Sequence, residues 1–219
     1  MTGLPYKKRR NAREMVYFSN YCTDRARCVG AQRVARGQTG ENMSPEIAPA
    51  MPLLTILQYP DPRLHTVARP VSAFDDRLRQ LAADMLETMY DSGGIGLAAT
   101  QVDVHERLIV MDISKERNQP LVVVNPEIIW SSEARQLNEE GCLSVPGVYD
   151  RVERFESVHV RVWDLDGKAR TIEAQDVMAI CIQHEMDHLL GKVFVEYLSL
   201  LKRDRIKKKM RKAQREDAH

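Results

Sequence analysis

The chain is 219 residues long with a formal net charge of +1 and four cysteines, which fits one ordinary domain with appendages and a hydrophobic core of its own. Cys22, Cys28, Cys142 and Cys181 are too few and too irregularly spaced for a disulfide framework, and no apolar stretch of the signal-peptide kind is present, so a reducing, cytoplasmic setting is expected. The longest purely apolar run, Val177 to Ile182, is far shorter than the roughly 20 residues a membrane-spanning helix needs, which sets a membrane-embedded protein aside.

The near-neutral total conceals an uneven distribution. Residues 1–50 carry nine basic and four acidic side chains and residues 202–219 carry nine and three, which leaves residues 51–201 at −10. An acidic body lies between two basic ends, and single-sign fields of this kind bear on association rather than on fold.

Residues 1–50 hold "YKKRRNAR" and a Gly-, Ser- and Pro-rich stretch with no sustained apolar period; they read as a basic, disordered extension, with Met51 a natural second start. An organelle transit peptide is the weaker alternative. From Thr55 the pattern becomes that of a folded domain over 51–201. "YPDPRL" is a Pro-rich turn. "SAFDDRLRQLAADMLETMYDSGG" predicts an amphipathic helix, opened by a capping-box-like pair at Ser72 and Asp75, striped with Leu78, Leu81, Ala82, Met85 and Met89, and stopped by Gly93 and Gly94. "RLIVMDI" and "LVVVNPEII" predict buried strands, with Pro126 marking an edge or an end. "SVHVRVWDLDGKARTIEA" alternates on both sides of Asp166-Gly167, which predicts an antiparallel hairpin. "VMAICIQHEMDHLL" predicts a helix ended by Gly191. The order argues for an α+β domain with antiparallel sheets. Residues 202–219 predict a strongly cationic helix or tail.

The second helix contains H-E-x-x-H. His184 and His188 stand one turn apart on one face, with Cβ atoms roughly 5 to 6 Å apart, a suitable bite for one metal ion. Glu185 beside them is placed to handle the proton of a metal-activated water. Val177, Ile180 and Cys181 share the face, so the histidines continue an inward apolar stripe, and buried imidazoles need partners. A catalytic site takes three protein ligands and keeps one position for water. Glu196, eight residues past His188, is one source of the third ligand, as in a zincin-type peptidase, although the H-E-x-x-H-x-x-G-x-x-H continuation is absent. Cys142, in "EGCLS", is the other; by itself it reads equally as a buried apolar residue, a redox thiol or a nucleophile. A non-enzymatic RNA-binding protein with a structural metal is a third reading.

Three segments together resemble the signature motifs of the peptide deformylase family: "GIGLAATQ" (Gly94 to Gln101), "EGCLSVPG" (Glu140 to Gly147) and "QHEMDHLLG" (Gln183 to Gly191), in the same order and with similar separations. The stretches "LLTILQYPDPRLHTVARPV" and "YLSLLKRDRIKKKMRK" are similar to the bacterial enzyme as well, so the resemblance runs from about Met51 onward. It implies that Cys142, His184 and His188 ligate one divalent metal, Fe²⁺ in the native bacterial enzyme with Zn²⁺, Ni²⁺ or Co²⁺ able to replace it. It implies short antiparallel sheets wrapped around the helix bearing the histidines, and removal of the formyl group from N-terminal formyl-methionine of nascent chains by metal-activated hydroxide. Glu185 is then the general base and acid, and Gln101 with the Leu143 N–H the donors to the oxyanion. Gly94, Ile95 and Gly96 would pair with an extended peptide, Ile95, Leu143, Ile180 and Cys181 with the His184 ring would receive the methionine side chain, and Arg151 would contact the substrate backbone. For Ile180 and Cys181 plain core packing is the competing reading. The basic C-terminal helix would face ribosomal RNA near the tunnel exit. A monomer with no DNA or membrane partner is expected.

Overall fold

A computed structural model describes residues 53–216; the basic extension expected over residues 1–50, and Met51, lie outside them. Among the described residues the fold has three α-helices and seven strands, α1 (Asp76–Asp91), β1 (Gly96–Ala98), β2 (Leu108–Met111), β3 (Leu121–Ser131), β4 (Arg135–Glu140), β5 (Asp150–Phe155), β6 (Ser157–Trp163), β7 (Ala169–Gln175), α2 (Asp176–Leu189) and α3 (Leu200–Glu216), besides three short 3-10 turns. Every strand pairing is antiparallel. One sheet has the order β1-β2-β3-β6-β7, and β4 and β5 form a separate hairpin. The expected α+β architecture with a central H-E-x-x-H helix and a C-terminal helix is therefore the one observed.

The β1–β2 end of the five-stranded sheet is covered on both faces, which explains why β2 and the start of β3 read as continuous apolar runs, whereas β6 and β7 alternate between buried and more exposed positions. Ile109, Met111 and Val123 pack with Ile180, Ile182 and Leu189 of α2, whereas their neighbours Leu108, Val110 and Val124 pack with Leu78, Ala82, Met85 and Met89 of α1. The period-2 alternation is thus present, with one apolar side chain pointing each way. A third cluster joins Leu57, Val145, Val152 and Phe194 to Cys142, and Ile206 and Met210 of α3 complete it.

Two sequence expectations need correction. Helix α1 does not open with a Ser72–Asp75 box: Asp75 is itself the N-cap, its carboxylate accepting the Leu78 N–H at 3.0 Å. A carboxylate suits that place better than the upstream hydroxyl, because it accepts a free amide and meets the positive end of the helix dipole. Pro126 lies inside β3 and not at its end, at a register shift between Val124 and Glu127 and just past the last residue paired with β2, so the expected end is corrected while the expected edge is met on the β2 side. The bulge absorbs the missing N–H. Beside it Asn125, at φ 48°, turns its side-chain amide to the Val71 backbone, accepting from the N–H at 2.8 Å and donating to the carbonyl at 2.9 Å.

Helix α2 ends as expected. Gly191 has φ 72°, and a Cβ there would stand 2.5 Å from the His65 carbonyl oxygen, so both backbone conformation and packing require glycine. The strand β1 and the β4–β5 hairpin are additions that apolar periodicity did not predict.

Candidate active site

The three motif segments converge. Helix α2 brings His184 and His188 inward, and the connection after β4 brings Cys142. One ligand atom from each of the three lies within 4.8 Å of the others, and all three residues are buried. Cys142 Sγ is 3.2 Å from His188 Nε2. The imidazole rings are 5.0 Å apart and nearly perpendicular, at 77°, so their nitrogens approach one point from different sides.

Around them is a layer of support. Glu140 Oε2 is 2.8 Å from His184 Nδ1; a carboxylate acceptor there places the proton on Nδ1 and leaves the Nε2 lone pair for a ligand role. Glu140 is itself clamped by Arg154, whose Nε and Nη2 donate at 2.7 and 2.9 Å. Arg154 Nη1 donates to Asp187 Oδ2 at 2.5 Å, the Tyr197 hydroxyl donates to the same oxygen at 2.9 Å, and the guanidinium carbon lies 5.0 Å from the Tyr197 ring centroid. Burial alone would raise the Glu140 pKa, but the hydrogen bonds from Arg154 and His184 outweigh it and hold the carboxyl at about 2. This ion pair was not found from the sequence, although Glu140 adjoins Cys142 by two residues and Asp187 directly precedes His188.

Whether a metal fits can be judged from the donors. Burial opposes charge on His184, yet hydrogen bonding to Cys142 and Glu140 pushes its pKa well above the usual histidine value. Burial and the neighbouring His184 push His188 the other way, to the neutral form. With His188 kept neutral and the His184 Nδ1 proton held by Glu140, one sulfur and two imidazole nitrogens converge as donors, a set that a divalent cation satisfies. The donor set fits the group.

Glu185 is 2% exposed, and among the described residues its Oε2 has no hydrogen-bond partner. Burial pushes its pKa up to about 7, where a carboxyl can both take and release a proton near neutral pH. A Cβ on Gly96 would stand 2.5 Å from Glu185 Oε1 and 2.8 Å from Cys181 Sγ, so the glycine clears room for the glutamate. One on Gly94 would stand 2.6 Å from Leu143 Cδ1. Gln101 is buried with its amide fixed at both ends: the carbonyl accepts from Ala98 N at 2.8 Å, and Nε2 donates to Ser144 Oγ at 3.1 Å with Cys142 Sγ at 3.5 Å. This leaves the donor end of Gln101 facing the ligand group.

The remaining sequence candidates divide. Gly96 opens β1, which among the described residues pairs only with β2 and so is an edge of the five-stranded sheet, and Gly94 and Ile95 lead into it. Ile180 and Cys181 are 2% and 0% exposed and pack with Ile95 in the core; burial, with Glu185 and Glu140 nearby, pushes the Cys181 thiol well up. A cavity of about 600 Å³ adjoins the site and is lined by Leu54, Ile56, Cys142, Leu143, Pro146 and Tyr149 among others; of the residues expected around the methionine side chain it includes Leu143. Arg151 is exposed on β5, on the face opposite to that which carries Arg154 to Glu140. Glu196, the alternative third ligand, instead accepts from Val193 N and lies 3.2 Å from His65 Nδ1. The zincin-type reading is not favoured.

Comparison with known proteins agrees with this geometry. The model of the family described as polypeptide deformylase matches residues 53–204. Peptide deformylase 1 of Ralstonia nicotianae is 62% identical over 168 residues, covering 77% of this chain and 99% of that protein, and the peptide deformylase of Neisseria gonorrhoeae is 58% identical, covering 75% and 98%. Among solved structures, the peptide deformylase of Legionella pneumophila superimposes with a TM-score of 0.73 at 46% identity, covering 77% of this chain and 99% of that one. That of Ehrlichia chaffeensis in complex with actinonin gives 0.73 at 41%, covering 75% and 99%. With the motifs assembled and these matches spanning nearly all the described residues, the chain belongs to the polypeptide deformylase family, hydrolases that remove the formyl group from N-terminal formyl-methionine.

Proposed function

We propose that the deformylation is carried out at a divalent ion held by Cys142 Sγ and one nitrogen each of His184 and His188, with Fe²⁺ as the native ion and Zn²⁺, Ni²⁺ or Co²⁺ able to take its place. A bound ion of this kind supplies Lewis acidity, polarising the formyl oxygen and acidifying a water. Glu185 takes the proton of the attacking water and passes it to the amine that leaves, so formamide and water become formate and a free N-terminal amine. The Gln101 Nε2 and the Leu143 N–H donate to the oxygen that gains charge as the formyl carbon becomes tetrahedral. Because the Gln101 carbonyl is already engaged with Ala98 N, its donor needs no reorientation during the step.

The open side of β1, with Gly94, Ile95 and Gly96, is the edge to which an extended formyl-methionyl peptide adds as a strand. The methionine side chain lies towards Ile95 and Leu143, with Ile180, Cys181 and the His184 ring behind them, and Arg151 is the weaker candidate for a substrate contact. Helix α3 is the proposed ribosome contact: Lys208, Arg211, Lys212 and Arg215 line one surface groove, while Ile206 and Met210 anchor the helix to the cluster that contains Cys142. Such a basic surface suits RNA phosphate. We place the enzyme in the cytoplasm as a monomer.

The observation that carries this reading is the meeting of three buried ligand atoms, from two segments 42 residues apart in the chain, beside Glu185 Oε2, which has no hydrogen-bond partner among the described residues. The test is anaerobic purification with metal analysis, followed by measurement of formate release from formyl-Met-Ala-Ser. One equivalent of iron and release of formate are expected. Absence of formate release from iron-loaded protein would overturn the proposal.

A further inference from the structure

The loop after β2, Asp112 to Gln119, lies away from the metal ligands but is built as a rigid clasp. Asp112 is 2% exposed and its carboxylate is saturated. Oδ1 accepts from Ser114 N at 2.9 Å and Ser114 Oγ at 2.6 Å, and Oδ2 accepts from the Tyr90 hydroxyl at 2.7 Å and Gln119 N at 3.0 Å. Ser114 Oγ in turn accepts from Asn118 N at 3.1 Å. The loop is thereby closed on itself and tied to the last turn of α1.

From this frame two donors reach back to the segment that precedes β1. The Asp112 N–H donates to the Ile95 carbonyl at 2.9 Å. Arg117, at φ 53° and half-buried, donates from Nη2 to the Gly94 carbonyl at 2.9 Å and from Nη1 to the Tyr90 carbonyl at 3.2 Å. Its guanidinium carbon is 5.7 Å from the Tyr90 ring centroid. One planar cation therefore holds a carbonyl at the end of α1 and a carbonyl of the glycine turn together. The segment needs such an external hold: Gly93 and Gly94 are flexible by composition, and β1 is three residues long with, among the described residues, a strand on one side only.

We propose that Arg117 is a positioning residue for the deformylation reaction, fixing the backbone of Gly94 to Gly96 as a preformed edge for the peptide portion of the substrate. This rests on the reading of that segment as the substrate strand. Arg117 acts on binding of the peptide rather than on the proton transfers, because it touches neither the ligand group nor Glu185. An edge that is ordered beforehand spares the substrate the entropy of ordering it.

The test uses the full-length, metal-loaded enzyme with Arg117→Ala and Arg117→Lys, and two substrates, formyl-Met-Ala-Ser and formyl-methionine without a following peptide. For formyl-Met-Ala-Ser, Arg117→Ala is expected to raise KM about tenfold, the scale of one hydrogen bond from a charged donor, with kcat within about twofold. Metal content and the KM for formyl-methionine are expected to hold. Amide hydrogen exchange at Gly94 and Asp112, whose N–H groups donate to the Met89 and Ile95 carbonyls, is expected to quicken in the same variant, and Arg117→Lys to restore part of both effects, since an ammonium reaches one carbonyl in place of two. Unchanged exchange, an unmoved KM for the tripeptide, or a joint fall of kcat and metal content would each overturn the proposal. If the unsubstituted enzyme shows equal kcat/KM for the two substrates, the strand reading itself falls and the proposal with it, a result distinct from an unmoved KM in the variant alone.

Discussion

Replacing Arg154 by alanine removes the guanidinium that, among the described residues, neutralises Glu140, and the cost can be worked from the site. Glu140 is 0% and Arg154 5% exposed, so solvent cannot take over the lost hydrogen bonds. A carboxyl held at about 2, against 4.5 for an ordinary glutamate, corresponds to about 3 kcal/mol of stability at neutral pH, and truncating one partner of a buried pair typically costs about 3 to 5 kcal/mol. The sign follows from the depressed value: the contribution is present above pH 4.5 and is lost as pH falls from there through about 2. In Arg154→Ala, burial is left unopposed by the guanidinium, Glu140 takes up a proton, and His184 loses the anionic acceptor on Nδ1. Metal affinity then falls by about 10- to 100-fold, the usual consequence of losing such a support. Urea unfolding between pH 3 and 7 measures the first effect and metal titration of the apo-protein the second. A variant within about 1 kcal/mol of the parent, with unchanged metal affinity, would refute the assignment of Glu140 and Arg154 as the support of His184.

Cys142→Ala is expected to lose both metal retention and formate release, whereas Glu196→Ala keeps both, since Glu196 is engaged with His65 and Val193; the opposite pattern, read by metal analysis, would restore the zincin-type arrangement. Glu185→Gln should keep metal and fold while lowering kcat by about 10²- to 10⁴-fold, the range of a lost general base; stopped-time formate assays on metal-matched samples decide it, and near-parental turnover would remove Glu185 from the chemistry. Gly96→Ala places a methyl group 2.5 Å from Glu185 Oε1, so either β1 or the carboxylate must shift, and kcat/KM should fall by more than about tenfold; a variant with parental kinetics would show that the strand can yield without disturbing the glutamate.

How far the fold could be read from the chain depended on what each element buries. Helix α1 announced itself because Leu78, Ala82, Met85 and Met89 meet one apolar surface, and α2 because its histidines extend an apolar stripe. In α2 the structure goes further than the stripe: residues 179–185 are all buried, because the helix is enclosed by β1, β2, β5, β6 and β7. Strands β2 and β3 were legible as apolar runs, but the bulge at Pro126 was not, since it depends on Asn125 finding the Val71 backbone, a partner 54 residues away that no local pattern reveals.

The β4–β5 hairpin escaped for a more instructive reason. Its sequences, "RQLNEE" and "DRVERF", do alternate between inward and outward positions, but two of the buried ones are Glu140 and Arg154. Apolar periodicity finds strands that bury hydrocarbon; this hairpin buries an ion pair, and charged residues on both faces look like a solvated loop. Cys142 could be recognised from its motif, while the hairpin that presents it could not. The two facts have one cause. A metal ligand such as His184 needs an anionic partner fixed in orientation, that anion needs a buried counter-ion, and the pair occupies the inward face where a strand would otherwise show its signature. The part of the chain least readable as structure is therefore the part most committed to the site, and the same substitution at Arg154 that tests the chemistry also tests whether the hairpin's inward charges hold the fold together.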